Sequence, residues 1–209
     1  QLAAGILSYV KIRVDADRSR NGRFVFTGSQ QFGMIRNLGD SLAGRIALLD
    51  LLPFAAGEMQ KAASLQGGLE LFTSSCLTGA YPQLAVTPEI DRSLWYSSYL
   101  QTYLERDIRS LYDIGSLREF HRFMQLLAAR CGQMLNMSMF ATDLGVSVTT
   151  IKRWLSVLEA GRILFLLPPY YSNLGKRITK MPKVYFLDTG LACHLAGIRA
   201  REQLLEGPM

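Results

Sequence analysis

The chain has 209 residues but only 3 cysteines, Cys76, Cys131 and Cys193, and 2 histidines, His121 and His194. No two cysteines form a C-x-x-C pair and an odd number cannot all pair, so neither a zinc ribbon nor a disulfide scaffold fits. The expectation is a reduced, cytoplasmic chain with no metal site. The longest apolar run, ILFLLPPYY at 163–171, falls far short of the roughly 20 residues a membrane span needs. No signal-peptide pattern is present, so no membrane partner is expected. Charged residues are 19% and hydrophobic residues 49%, which excludes a disordered polyelectrolyte and allows a core. Two further absences concern nucleotides. There is no G-x-x-x-x-G-K-[ST] loop and no apolar run ending in Asp-Glu ahead of the first helix. The backbone cradle for phosphates and the carboxylate for Mg²⁺ are thus not among these residues.

The net charge of +6 is unevenly spread. Residues 1–100 carry 9 Lys and Arg against 8 Asp and Glu, close to neutral. Residues 145–185 carry 7 (Lys152, Arg153, Arg162, Lys176, Arg177, Lys180, Lys183) against Glu159 alone. An acidic partner is expected to meet that window.

Along the chain, Leu7, Val10 and Val14 repeat at helical spacing. Arg23–Thr27 reads as a short buried strand ending on small polar residues, and Arg45–Leu49 as a second strand. A helix is expected from Pro53 to about Ala63 and another over Leu69–Leu77, stopped by Gly79. GAYPQL reads as a loop. A long helix is expected from Pro88 to about Tyr112, with Glu105 and Arg109 as an i,i+4 pair. Another runs from Leu117 to Cys131. The pattern implies α/β elements over 1–80 and a helical domain over 81–209.

The clearest local pattern is MSMFATDLGVSVTTIKRWLSVLE at 137–159. Ile151, Trp154, Leu155 and Leu158 lie at i, i+3, i+4, i+7 and face a core, while Thr149, Lys152, Arg153 and Ser156 form the opposite face. Gly145 can take positive φ in the turn and Ser147 is a good N-cap. This is helix–turn–helix grammar. RILFLLPPY, a basic turn and KVYFLD then read as a β-hairpin wing over about 162–188. Thr149, Lys152 and Arg153 on the helix, with Lys176, Arg177 and Lys180 at the wing tip, suit phosphate and groove contacts with duplex DNA. Docking onto a protein or self-assembly is the other use of such a module. Asp188, followed by Thr189 and Gly190, reads as the N-cap of the next helix.

Three segments together, FVFTGSQ with SLAGR, YLQTYLERDIRSL, and KRWLSVLEAGRILFLLPPYYSNLGKRITKMPKVYFLDTGLA, resemble one family. They are similar to bacterial and archaeal AAA-type ATPases that carry a C-terminal domain of unknown function, relatives of the archaeal ATPase group. The resemblance implies a P-loop core, a helical and winged-helix middle, and a nuclease-like α/β domain. By that order the phosphate loop lies before Gln1 and the nuclease-like domain after Met209. The fold class implied is an α/β ATPase-core remnant, then a mainly α domain with a winged helix-turn-helix. ATP and Mg would serve the full-length protein, and none is expected for this chain alone.

By the same resemblance Thr27, Ser29 and Gln30 sit at the tip of a core strand. Thr27 and Ser29 would bind nucleotide, and Gln30 would orient the attacking water. Thr27 and Ser29 as caps of the next helix is the alternative. Arg45 would act as an arginine finger. An ion pair with Asp40 or Asp50 is the alternative there. The full-length protein is then an ATP-dependent ATPase, possessing a homo-oligomeric or DNA partner, whose winged helix couples nucleotide state to that partner. The competing reading is a DNA-binding winged-helix regulator without ATPase activity.

Overall fold

The computed structural model describes residues 4–27, 42, 44–65, 67–105, 115–173 and 180–207. They divide into two compact units, Gln1–Leu51 and Leu52–Met209. In the first, α1 (Ala4–Ala16) buries Val10 against Leu42, and Leu7, Val14 and Phe26 pack around them. The stripe read from the sequence is therefore the face that packs.

The two strands expected at Arg23–Thr27 and Arg45–Leu49 carry no β-ladder among the described residues. A strand exists only with a neighbour to accept and donate its backbone hydrogen bonds. Neither segment has one here, and Val25 and Leu49 are 88% and 93% exposed. The α/β remnant expected of this region is thus not present as a sheet in the described residues.

The second unit is mainly helical. It begins with α2 (Ala56–Ala62) and α3 (Leu69–Thr78). The expected boundary near residue 80 falls inside this unit. GAYPQL is not a loop: Pro82–Val86 is a short helix, α4, with proline in its first turn, where no N–H is needed. The next helix, α5 (Arg92–Tyr99), starts after Asp91 rather than at Pro88. The Asp91 side chain accepts from the Leu94 amide at 3.0 Å, supplying the cap that proline lacks. The chain continues over Leu100–Glu105 as a wider π-type helix. The rest of the expected long helix, with Arg109, lies outside the described residues.

Helix α6 (Leu117–Ala129) is capped by Ser116, and Phe120, Phe123, Met124 and Leu127 on it are almost fully buried. Next come α7 (Met137–Leu144) and α8 (Val148–Ala160). Gly145 joins them at φ 67, ψ 31, and Ser147 caps α8 by accepting from the Thr150 amide at 3.1 Å. Strands β1 (Leu164–Leu167) and β2 (Lys183–Phe186) pair antiparallel, Leu164 opposite Phe186 and Leu167 opposite Lys183. The far edge of β2 is also covered: Gly132 N donates to Val184 O at 2.7 Å and Leu135 N to Pro182 O at 2.8 Å. Helices α9 (Thr189–Ala196) and α10 (Arg201–Glu206) close the unit.

One core runs from Leu84 on α4 to Leu195 on α9. Trp154 is 1% exposed and packs edge-on to Phe120 at 5.6 Å and tilted to Phe123 at 5.4 Å. Trp154→Ala should therefore destabilise the chain by about 3–5 kcal/mol in denaturant unfolding, the usual cost of emptying a large aromatic site. A loss below about 1 kcal/mol would mean the site collapses without penalty.

Candidate functional site

Three places hold the residues that could carry function. The first is Arg45. Its Nε donates to the Asp15 carboxylate at 2.8 Å, and Arg18 meets the same oxygen at 2.7 Å. The Arg45 guanidinium holds the Asp15 carboxyl below its ordinary range, with Arg18 helping. Asp15, on α1, is therefore one partner of Arg45; Asp40, one of the two expected from the sequence, lies outside the described residues. A sequence separation of 30 residues hid this pair. Thr27 is exposed, while Ser29 and Gln30 lie outside the described residues.

The second place is the exposed face of α8. Thr149, Lys152, Arg153 and Ser156 all face solvent, opposite the buried Ile151, Trp154, Leu155 and Leu158. Lys180, just ahead of β2, is exposed too. Lys176 and Arg177 fall between the strands in chain order and lie outside the described residues. The helix face is therefore as the spacing predicts, with two cations, a hydroxyl-rich start and no apolar residue among the four.

The third place was only half visible in the sequence. Asp188 caps α9 as expected, its Oδ1 accepting from Leu191 N at 2.6 Å. It also does more. Oδ2 accepts from Ala80 N at 2.6 Å, and the Tyr96 hydroxyl lies 2.7 Å from Oδ1 and 2.9 Å from Thr78 O. Three elements distant in sequence therefore meet on one carboxyl group that is 2% exposed. Two glycines make room for it. A Cβ on Gly79, already at φ 80, would meet the Tyr96 hydroxyl and stand 2.7 Å from the Asp188 oxygens. A Cβ on Gly190 would meet the same hydroxyl and stand 2.6 Å from Gly79 N. The signal in the sequence was the pairing of a T-G-A with a D-T-G, but nothing local says that they touch.

The surroundings set the chemistry. Burial pushes the Asp188 carboxyl above its ordinary value, against hydrogen bonds from Ala80, Tyr96, Leu191 and Tyr81 that favour the ion. Burial also raises the Cys76 thiol, and pushes the Cys193 thiol up to about 11 with Cys76, Asp188 and Cys131 nearby. Such thiols are poor nucleophiles. Among the described residues no group of three His, Cys, Asp or Glu side chains could hold a metal ion, and no helix is long and apolar enough to cross a membrane. An open cleft of about 370 Å³ lies over this node, with Tyr96 and Gly190 in its lining.

Comparison with known proteins places these features. The family model described as a domain of unknown function (DUF8612) matches residues 69–202. The chain belongs to this family. Its match runs from α3 to the start of α10, and so takes in the helix–turn–helix, the strand pair and the Asp188 node. The model of the AAA domain matches residues 1–60, so that region is ATPase-like. An uncharacterised protein of Mycobacterium bovis and one of Mycobacterium tuberculosis are each 31% identical over 202 residues. The matches cover 94% of this chain and 43% of each relative, so the chain spans less than half the length of those proteins. No solved structure matches.

The Asp188 node has a pH signature. In the unfolded chain its carboxyl returns to about 3.9. The native value is higher, so this group's contribution to stability is complete below about pH 3.9 and is lost as pH rises through the native value. Asp188→Asn keeps an acceptor and a donor and should remove that part of the pH dependence, read from melting temperature between pH 4 and 8. Asp188→Ala strands the Ala80 and Leu191 amides, while the Tyr96 hydroxyl keeps Thr78 O, and should cost about 2–4 kcal/mol at low pH. Identical pH profiles for the parent and the Asn variant would contradict a raised native value.

Proposed function

We propose that this chain is part of an ATP-dependent AAA-type ATPase in which residues 137–188 form a winged helix that couples nucleotide state to a partner. The observation that carries the reading is the succession, in one chain, of an ATPase-like region over 1–60 and a helix–turn–helix closed by a β-hairpin. A helix pair joined through an αL glycine and followed by an antiparallel strand pair is the architecture a winged helix requires.

The residues present do not make a nucleotide site by themselves. The chain contains no phosphate loop, and the Arg45 guanidinium is engaged by Asp15. No hydrolysis step is therefore assigned to this chain alone, and its isolated form should show no ATPase above blank. In the longer protein Arg45 is proposed as the finger whose charge matters as the γ-phosphate leaves. Thr27, Ser29 and Gln30 are proposed at the same γ-phosphate side. Arg45→Ala in that protein should lower kcat at least about tenfold with little change in KM, because an interaction made in the transition state is what it removes. Unchanged kcat would leave Arg45 a structural ion-pair residue.

The partner is proposed to be duplex DNA, on the strength of the exposed Thr149, Lys152, Arg153 face and the cations of the hairpin. Phosphate contacts carry no sequence information. Replacing Lys176 and Arg177 together by Ala should weaken all duplexes alike and reduce the salt slope of log K by about 1.8, two phosphates' worth. Arg153→Ala should instead change preference among sequences. Fluorescence anisotropy with two unrelated duplexes over a salt series reads both. Equal binding and an equal slope in the double variant would point to a protein partner for this face.

A further inference from the structure

The cleft over the Asp188 node is lined by hydrogen-bond donors that the described residues use only in part. It lies between the first turn of α5 and the α9–α10 connection, with Leu77, Ile90 and Ile198 as its apolar wall. Arg92 and Arg199 both line it. Neither is ion-paired with a carboxylate among the described residues. Arg92 makes one long bond, Nη1 to Thr78 Oγ1 at 3.3 Å. Arg199 Nη1 lies 2.8 Å from His194 Nδ1. Guanidinium has no acceptor, so it donates and Nδ1 accepts, which puts the imidazole proton on Nε2. That Nε2–H has no acceptor among the described residues, and neither does the hydroxyl of Ser93, which also lines the cleft. The carboxylate in the lining, Asp91, has one oxygen engaged as the α5 cap. With His194 neutral the lining carries two positive charges against one negative.

We propose that this cleft is a phosphate-binding site, in which Arg92, Ser93, His194 and Arg199 donate to the oxygens of a phosphoryl group. The chemistry favours phosphate over carboxylate. Two guanidinium forks, a hydroxyl and an imidazole offer donors from several directions, which suits a tetrahedral group with three terminal oxygens better than a planar one with two. The volume of about 370 Å³ is at the low end for a small-molecule site, so the ligand is either free phosphate or a small phosphomonoester whose body lies on the apolar wall. The site is independent of whether α8 meets DNA.

His194 makes the test direct. Its pKa is lowered by burial and by the neighbouring Arg199 charge. A protonated ring would carry an N–H at Nδ1 facing the Arg199 N–H, so protonation must break that contact. A phosphoryl group accepting from the His194 Nε2–H and from Arg199 would offset the guanidinium charge and favour the protonated ring. The only other histidine in the chain is His121, which serves as the internal reference. NMR titration of the two imidazoles in the intact chain, with and without inorganic phosphate at matched ionic strength in KCl, should raise the His194 midpoint by about 0.5–1 pH unit and leave His121 in place. Phenyl phosphate gives the second arm: binding at least about tenfold tighter than inorganic phosphate assigns a phosphomonoester, and equal binding assigns free phosphate. Arg199→Gln should abolish the response, and Arg92→Gln should weaken phosphate at least about tenfold. Both residues are exposed, so neither change threatens the fold. A His194 midpoint that moves no more than that of His121 overturns the proposal. So does an equal response to succinate, or a response that survives both substitutions.

Discussion

One buried carboxyl group decides how the C-terminal unit is put together. Asp188 ends the strand pair, begins α9, and receives hydrogen bonds from the Ala80 amide and the Tyr96 hydroxyl. Ala80 is held by its other backbone group as well, its carbonyl accepting from Phe54 N at 2.8 Å. Phe54 is therefore linked to the segment after β2 through a single residue, Ala80. An unpaired buried carboxylate would be costly. Satisfying it requires α3, α5 and α9 to meet with two glycines between them, and there are few ways to arrange that.

The rest of the unit follows from that junction. Thr189 Oγ1 donates to Ser75 O at 2.8 Å and adds a second tie between α9 and α3. Tyr96 sits at the centre of an aromatic group, with the Trp95 ring 5.2 Å away edge-on and Tyr81 at 6.3 Å. The stacked pair of Trp95 and Tyr99, 5.3 Å apart and 6° from parallel, extends it toward the π-type turn. On its other side the node forms the floor of the cleft that Arg92 and Arg199 line. The helix–turn–helix and its strands hang on α6 through Trp154 and the phenylalanines. Its polar face stands opposite the buried Ile151, Trp154, Leu155 and Leu158.

What the sequence made legible was local. The α7–turn–α8 pattern was readable because period, αL glycine and Ser147 cap all act within a few residues. Asp188 was readable as a cap for the same reason. Its bonds to Ala80 and Tyr96 span 108 and 92 residues, and no spacing rule reaches that far. Arg45 found Asp15 across 30 residues for a similar reason: charge identifies a pair's type and not its members. The two expected strands failed on the same ground, since strand pairing is a property of neighbours and not of the segment. Pro82 misled in the opposite direction, because a proline read as part of a loop also suits the first turn of a helix.

Native-state hydrogen exchange at the Ala80 and Leu191 amides tests the central role of Asp188 most directly. If the carboxyl group is the junction, both amides exchange only through global unfolding, with protection equal to that of the α6 core and lost together in Asp188→Ala. Exchange of either amide at loop-like rates in the parent chain, while α6 stays protected, would show that the unit holds together without that junction.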